Sequence, residues 1–310
     1  MKIGIISAER TPDDRNENSR LVDEITARGH QPQIINYLNT TVCIEGDSAE
    51  LMEYSGDLTL TPVEADIVIP RINEGDFSSV VLGIMALETL MHNGSRSTAE
   101  PNAMLVAKDK ARAQLAFVRA GLHTPQAAIP LASGVPHPET ILQHVEPDPH
   151  YKVVIKDRWG TLGDEVRILD SRASAVTVTG SIYTPQVVQR FIESPGYPEL
   201  ISDHRIIVIG GRAVAGFIRQ VSSSIDLRAN VSQNGEAIEY DPSDEERHLA
   251  ETAVKAVGLK VAGVDVFPPT DKHTFLINEV NASPGFGIGD VPKLNIPGAI
   301  VDYALSIAEH

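Results

Sequence analysis

The sequence predicts an α/β protein of two or three lobes that begins with a small parallel α/β domain. Three observations carry this. The chain has 310 residues, more than one ordinary core takes up. Apolar strands alternate with amphipathic helices over its first third, the order that builds a parallel sheet. The remainder is marked by hairpin signals, an order suited to separate α+β lobes.

The elements follow in order. MKIGIIS (1–7) reads as a buried strand, and SRLVDEITARG (19–29) as an amphipathic helix closed by Gly29. HQPQIINY (30–37) and EADIVIPRI (64–72) are strands, and GIMALETLMHNG (83–94) is a helix ended by Gly94. Such a domain meets ligand at the carboxyl ends of its strands. No Gly-x-Gly-x-x-Gly follows the first strand, which argues against a dinucleotide-binding domain. Arg71 follows Pro70 at a strand end, so it either meets ligand or is a surface arginine.

NAMLVAKDKARAQLAFVRAGLHTP (102–125) reads as one long helix, and the Pro-rich stretch 132–150 as the approach to a second lobe. YKVVIK (151–156) and EVRIL (165–169) are strands joined by DRWGTLGD (157–164). QVVQRFI (186–192) is a strand leading into a third lobe. HRIIVIGGRAVAGFIRQ (204–220) is a hairpin turning at Gly210-Gly211. SDEERHLAETAVKAVG (243–258) opens with a capping box and ends in Gly258. VAGVDVF (261–267) and TFLINEVN (274–281) pair as the last hairpin, and 297–310 is a closing helix.

The net charge of −16 argues against nucleic acid or an anionic membrane as the main partner, since both repel it. The single Cys43 excludes an internal disulfide and a cysteine zinc site, and fits a reducing cytoplasm. No signal peptide is visible, and no window reaches the ~20 apolar residues of a membrane helix. A cytoplasmic protein is the expectation.

Two stretches carry chemistry. If the last hairpin turns near Lys272, Asp265 faces Glu279, and Asn281 shares the face of Glu279. Three oxygen donors from adjacent strands suit Mg2+. The alternative is one acid paired with a nearby Lys or Arg, beside a turn-capping Asn. Lys156 ends a strand just before a glycine-containing loop, where backbone N–H groups can cradle phosphate and the lysine adds charge. No Gly-x-x-x-x-Gly-Lys-Ser/Thr is present, so this is not a P-loop. Together the two stretches describe a nucleotide held between lobes.

The ordered set VIPRI (68–72), AKDKARAQL (107–115), VVIK (153–156) with GTLG (160–163), VVQRFI (187–192), DHRIIVIGG (203–211), DLRAN (226–230), VAGVDVF (261–267) and NEVNASPG (278–285) spans nearly the whole chain. In that order it resembles the ATP-grasp carboxylate–amine ligases, and most closely the RimK-type glutamate ligases. The resemblance implies an ATP-grasp fold. An N-terminal α/β domain would cover 1–104, a central lobe with the glycine loop 105–185, and a C-terminal lobe with the metal site 186–310. The last two would clamp ATP.

It also implies roles. Lys110 and Lys156, with Gly160 and Gly163, would contact ATP phosphates. Gln189, Arg190, Phe191 and Ile192 would read adenine through their backbone, with Asp203 near the ribose. Arg228, Ala229 and Asn230 would lie near the transferred phosphate, and Arg219 and Arg228 would act catalytically as clamps. Asp265, Glu279 and Asn281 would hold Mg2+, with Mn2+ as a substitute. Arg71 and Arg205 are candidate substrate contacts; for Arg205 and Arg219 a structural salt bridge is equally open.

The implied reaction phosphorylates a carboxylate, and an amine then displaces the phosphate to form an amide. The implied partners are a glutamate-like amino acid and a carboxylate-bearing peptide, protein tail or small metabolite, with the chain as a dimer or tetramer. A non-catalytic ATP-binding regulator or scaffold is the alternative. The chain departs from the family pattern at Asp164 and Glu165 in the loop, at Arg190 where the hinge carries an acid, and at VSQNGE (231–236) after Arg-x-Asn. Glu193 either takes over the missing hinge acid or is a solvated surface acid. Trp159, the only tryptophan, precedes the loop and either packs or meets substrate.

Overall fold

In a computed structural model, residues 1–8, 17–56, 59–72, 77–131, 135, 137–148, 152–159, 166–181, 186–193, 200–222, 236–269, 274–286 and 294–308 are described. The first domain contains β1 (Lys2–Ser7), α1 (Glu17–Ala27), β2 (Gln31–Asn36), β3 (Thr40–Glu45), β4 (Ser48–Tyr54), β5 (Leu60–Pro62), β6 (Ile67–Pro70), α2 (Phe77–His92) and β7 (Arg96–Ser97). Strands in the order β2-β1-β6-β7 form the expected parallel sheet. Ile3, Ile5, Ile6 and Ile67 are fully buried, as inner strands covered on both faces require. Strands β3, β4 and β5 form a separate antiparallel sheet that the sequence reading did not anticipate. Its signal is weak because one face is exposed, Ile44 included.

The expected long helix is two helices, α3 (Pro101–Lys108) and α4 (Lys110–Arg119). Asp109 breaks it. Its backbone is extended, and its side chain accepts hydrogen bonds from the N–H groups of Ala111 (3.1 Å) and Arg112 (3.2 Å) as the cap of α4. Both helices pack on the C-terminal lobe, against β16 and α7 described below.

The central lobe holds β8 (Ala127–Ala128), α5 (Pro138–Val145), β9 (Val153–Asp157), β10 (Val166–Leu169), α6 (Arg172–Gly180) and β11 (Gln186–Arg190). Its antiparallel sheet runs β10-β9-β11-β8. Strand 186–190, expected to open the third lobe at a boundary after residue 185, is instead an inner strand of this sheet. Val153, Ile155 and Val188 face a core shared with α5 and α6, while Val154 joins a small cluster with Phe191. Alternation along β9 therefore puts Lys156 on the face away from the helices.

The C-terminal lobe has β12 (Leu200–Ile209), β13 (Arg212–Ser222), β14 (Glu236–Tyr240), α7 (Asp244–Val257), β15 (Ala262–Phe267), β16 (Leu276–Asn281) and α8 (Ile296–Ala308). Its antiparallel sheet is ordered β14-β13-β12-β15-β16. The β12–β13 turn uses Gly210 and Gly211 at φ of 62° and 78°, the left-handed pair of a tight hairpin. The capping box of α7 forms as read: Ser243 and Glu246 bond each other reciprocally. Helix α8 returns to pack on α1 and β6, so the chain's end covers its beginning. Among the described residues no helix is long and apolar enough to cross a membrane.

Candidate active site

The register of the C-terminal sheet assembles a charged face. Asp203 lies opposite Arg219, Arg205 opposite Asp265, and Asp265 opposite Glu279. Residues two apart on a strand share a face, so Asp203, Arg205, Arg219, Asp265, Glu279 and Asn281 all project from one side. Four strands thus deliver six polar groups to one place.

Arg205 grips Asp265 in two-pronged fashion, Nε donating to Oδ1 at 2.7 Å and Nη2 to Oδ2 at 2.8 Å. Arg219 donates to both oxygens of Asp203, and its Nη2 also lies 2.9 Å from Asp265 Oδ2. Asn281 Nδ2 is 3.3 Å from both Asp265 Oδ2 and Glu279 Oε1. Burial pushes the Asp265 carboxyl up, but Arg205 and Arg219 outweigh it and hold the group well below the usual carboxylate range. Asp203, buried beside that charge, moves the other way: burial raises it and Asp265 adds to the rise, against the pull of Arg219. Two acids sharing one arginine are thereby pushed apart.

Of the two readings left open for the last hairpin, the ion pair is formed, and the donor set for a cation is also present. Two carboxylates and an amide converge, all hard donors of the kind Mg2+ takes. Turning the Asn281 amide over presents its oxygen instead of its nitrogen. Asp265 Oδ1 accepts from Arg205 Nε and keeps a second lone pair, whereas Oδ2 already faces Arg205, Arg219 and Asn281. Among the described residues no group of three or more His, Cys, Asp or Glu could hold a metal alone, so substrate oxygens or water would have to complete this one. The residues fit a cation shared with a phosphate-bearing substrate.

Across from this face stand the lysines. Lys156 Nζ donates to Asn278 Oδ1 at 2.8 Å, linking the central lobe to β16. Burial lowers its pKa to about 8, with Glu279 opposing and Lys110 adding to the fall. Lys110 opens α4, and its N–H donates to Arg158 O at 3.0 Å. Arg158 also donates to the fully buried Asp109, Nε to Oδ1 at 2.6 Å and Nη2 to Oδ2. Trp159 packs against Phe77, ring centres 4.6 Å apart, and the two line a cleft of about 370 Å³.

Strand β11 lies beside β9 in the central sheet. Gln189 is buried, and Arg190 N donates to Gln126 O at 2.8 Å. The side chain that replaces the family acid finds an acid of its own: Arg190 Nε lies 2.8 Å from Glu146 Oε2, at the end of α5. Phe191 stacks under Lys152, 5.2 Å from its Nζ, while Ile192 is half-buried. Glu193 is exposed.

Arg71 is buried, which rules out the surface reading. It pairs with Glu17, donates from Nη1 to Pro284 O at 2.7 Å, and lies 5.0 Å from the Phe286 ring centre. It thus fastens the carboxyl end of β6 to the turn after β16. Gly160, Gly163, Arg228, Ala229 and Asn230, with Asp164 and Glu165, lie outside the described residues. Sequence reasoning missed Asp109, Glu146 and Arg158. Only Asp109 carried a local signal, an N-cap type followed by helix-forming residues.

The arrangement sets Lys156 and Lys110 beside a carboxylate face, which suits a polyanion bound with a cation. The chain is also similar to known proteins. Residues 107–304 match the family model described as RimK-like ATP-grasp domain, and residues 1–104 the one described as RimK PreATP-grasp domain. A protein of Legionella pneumophila (strain Corby) named "Probable alpha-L-glutamate ligase" is 33% identical over 308 residues, covering 98% of this chain and 95% of that one. A protein of the same name from Xanthomonas oryzae pv. oryzae (strain MAFF 311018) is 32% identical over 310 residues, covering 98% and 97%. Among solved structures, "ATP-grasp ligase PsnB complexed with minimal precursor, Mg, and ADP" superposes with a TM-score of 0.68 at 18% identity, covering 99% and 98%. The "macrocyclase MdnC bound with precursor peptide MdnA from Microcystis aeruginosa MRC" gives a TM-score of 0.68 at 16% identity, covering 99% and 100%. At such identities the two structures establish the shared fold alone.

Proposed function

The chain belongs to the RimK-like ATP-grasp family and is a ligase, and from that premise we propose that it forms an amide through an acyl phosphate, using ATP and Mg2+. The observation that carries this reading is the Lys156–Asn278 bond at 2.8 Å. It supports the reading by bringing Lys156, which would bind phosphate, against the strand that bears Glu279 and Asn281. Asp265, Glu279 and Asn281 would hold Mg2+, or Mn2+ in its place, and Lys110 and Lys156 would hold the nucleotide phosphates. Gln189 to Ile192 would carry adenine, and Asp203 would lie near the ribose.

A carboxylate and a triphosphate repel one another, so their charge must be neutralised before transfer. The bound cation would supply part of that neutralisation at the phosphate oxygens. The lysines supply more, and Arg205 or Arg219 could exchange a carboxylate partner for a substrate oxyanion. In the first step the substrate carboxylate oxygen attacks the γ-phosphorus, the bond to ADP breaks, and the acyl phosphate forms. In the second, the amine attacks the acyl carbon, phosphate leaves, and the amine gives up a proton.

The names of the relatives make L-glutamate the proposed amine. The acceptor would be a carboxylate-bearing peptide, protein tail or small metabolite. The domains would be those expected from the sequence, with the central lobe extended through residue 190 to include β11. The protein would work in the cytoplasm as a homo-oligomer.

The test is ADP release across amino acids and candidate acceptors, with mass spectrometry of the products. Glu279→Ala should abolish ADP formation, and near-normal turnover by that variant would sink the metal assignment. ADP without a new amide mass would mean a phosphotransferase.

A further inference from the structure

Strand β3 is an edge of the β3-β4-β5 sheet. It joins β4 through the loop Gly46-Asp47, with Glu45 opposite Ser48 and a regular register back to Thr40 opposite Glu53. Beside a two-residue hairpin loop the flanking pair is hydrogen-bonded, and such pairs then alternate along the ladder. The backbone groups of Glu45, Cys43 and Thr41 therefore point to β4. Those of Thr40, Val42 and Ile44 point outward, and among the described residues they bond no other backbone group.

Natural edges are usually guarded by a lysine, a proline or a bulge. Strand β3 reads TTVCIE in an unbroken register and carries none of these. Val42 packs on the core beside α2, whereas Ile44, on the same face, is 77% exposed. The apolar face covered at Val42 thus runs on uncovered toward the tip of the hairpin.

The strand is also complementary to itself. Antiparallel pairing about a two-fold axis at Val42 sets Val42 against its own counterpart on a second copy, and Thr40 against Ile44. Every outward N–H and C=O of these residues then finds a partner. Glu45, the only charge on the strand, falls opposite Asn39, so no like charges meet. Moving the axis to Cys43 would instead set Thr40 against Gly46 in the turn and lose that end of the ladder.

We propose that β3 pairs with β3 of a second copy of this chain, antiparallel about Val42, and joins the two β3-β4-β5 sheets into one. Such a contact is isologous and closes after two copies. It does not depend on the ligase reading, and it gives the homo-oligomer proposed above its contact. A seam of one strand buries less than the ~1,200 Å² of a standard stable interface, so the dimer is reversible and concentration-dependent.

Sedimentation velocity of the full-length protein over a dilution series should show a monomer–dimer equilibrium. Ile44→Pro removes an outward N–H and puts a ring into the seam, while the β3–β4 bonds are spared because that N–H points away from β4. The dimer should weaken at least about tenfold, with the melting temperature of the dilute protein unchanged.

Cross-linking reads the register and needs no destabilised variant. Thr41 of one copy lies directly opposite the exposed Cys43 of the other in a non-hydrogen-bonded pair, Cα atoms about 4.5 Å apart and within disulfide reach. The two Cys43 residues are diagonal neighbours at about 7–8 Å, beyond that reach. Thr41→Cys, oxidised in air with copper–phenanthroline, should therefore run as a dimer on a non-reducing gel, with the introduced thiol joined to Cys43 in the mapped peptides. The natural chain should stay a monomer on that gel. A protein that is monomeric at every concentration overturns the proposal and the homo-oligomer with it. A dimer that Ile44→Pro leaves intact overturns this seam alone, as does cross-linking of the natural chain through Cys43, or none in Thr41→Cys.

Discussion

Arg158 holds Asp109 in a two-pronged ion pair whose acid is fully buried and whose base directly follows the strand carrying Lys156. Asp109 also caps α4, which Lys110 opens, and Lys110 N donates to Arg158 O at 3.0 Å. One pair therefore fixes two lysines that arrive from different elements. Arg158→Met leaves Asp109 charged and buried with only its backbone N–H partners. The expected loss is about 2–3 kcal/mol, below the ~3–5 of a fully buried pair because those partners remain. ADP–Mg2+ affinity, read from the fluorescence of the single Trp159, should fall with it. Arg158→Lys should restore stability better than affinity, since a lysine cannot form both prongs. A loss of melting temperature with unchanged ADP affinity would make the pair purely structural.

Arg190 stands where relatives carry an acid, so restoring glutamate looks like a repair. The geometry predicts the reverse. Arg190→Glu sets a carboxylate beside Glu146, whose own carboxyl group is buried. The hinge backbone should shift, and KM for ATP should rise about tenfold, the equivalent of about 1.4 kcal/mol, with kcat little changed. Glu146→Gln added to Arg190→Glu should recover most of the loss. Steady-state kinetics in ATP decides it, and an Arg190→Glu enzyme of ordinary KM removes the hinge role of the pair.

What the sequence made legible was local. The facing of Asp265 and Glu279 followed from one turn position, and the shared face of Glu279 and Asn281 from strand period alone. The capping box at Ser243 and the glycine pair at Gly210 needed only a few neighbouring residues. What stayed hidden depends on distant partners. Asp109 carries an N-cap signal inside a helix-period run, but nothing in it points to Arg158, 49 residues on. Arg71 gave no hint of Glu17, nor Arg190 of Glu146. Strand β11 reads identically whichever sheet receives it; its pairing with β9 is a tertiary fact.

Glu17 ties the start of α1 to the turn after β16. It pairs with Arg71, and its Oε1 accepts from Phe286 N at 2.7 Å. Glu17→Ala removes the counter-charge from a buried guanidinium and an acceptor from the turn, for an expected cost of about 2–3 kcal/mol. Glu17→Gln keeps an acceptor for Phe286 and should cost clearly less. Urea denaturation of both variants checks the order; equal losses would mean that the Phe286 bond contributes nothing.

Glu246 predicts how the fold meets acid. Its Oε1 lies 2.7 Å from both His204 Nδ1 and Tyr240 OH, and its Oε2 accepts from Ser243 N at 2.9 Å and Ser243 Oγ at 2.7 Å. Burial pushes the carboxyl up, but these bonds outweigh it and hold the pKa at about 2, against an ordinary 4.5. A carboxyl lowered by folding stabilises the native state above the unfolded pKa, and that stability drains as pH falls toward the folded one. The window here runs from 4.5 down to about 2. Glu246→Gln, which cannot ionise, should cost on the order of 2–3 kcal/mol near neutrality and little at the acid end of the window. Its stability should therefore fall less steeply with acid than that of the natural chain. Urea midpoints across that window, for both proteins, give the two slopes, and parallel slopes would show that the lowered pKa does not belong to Glu246.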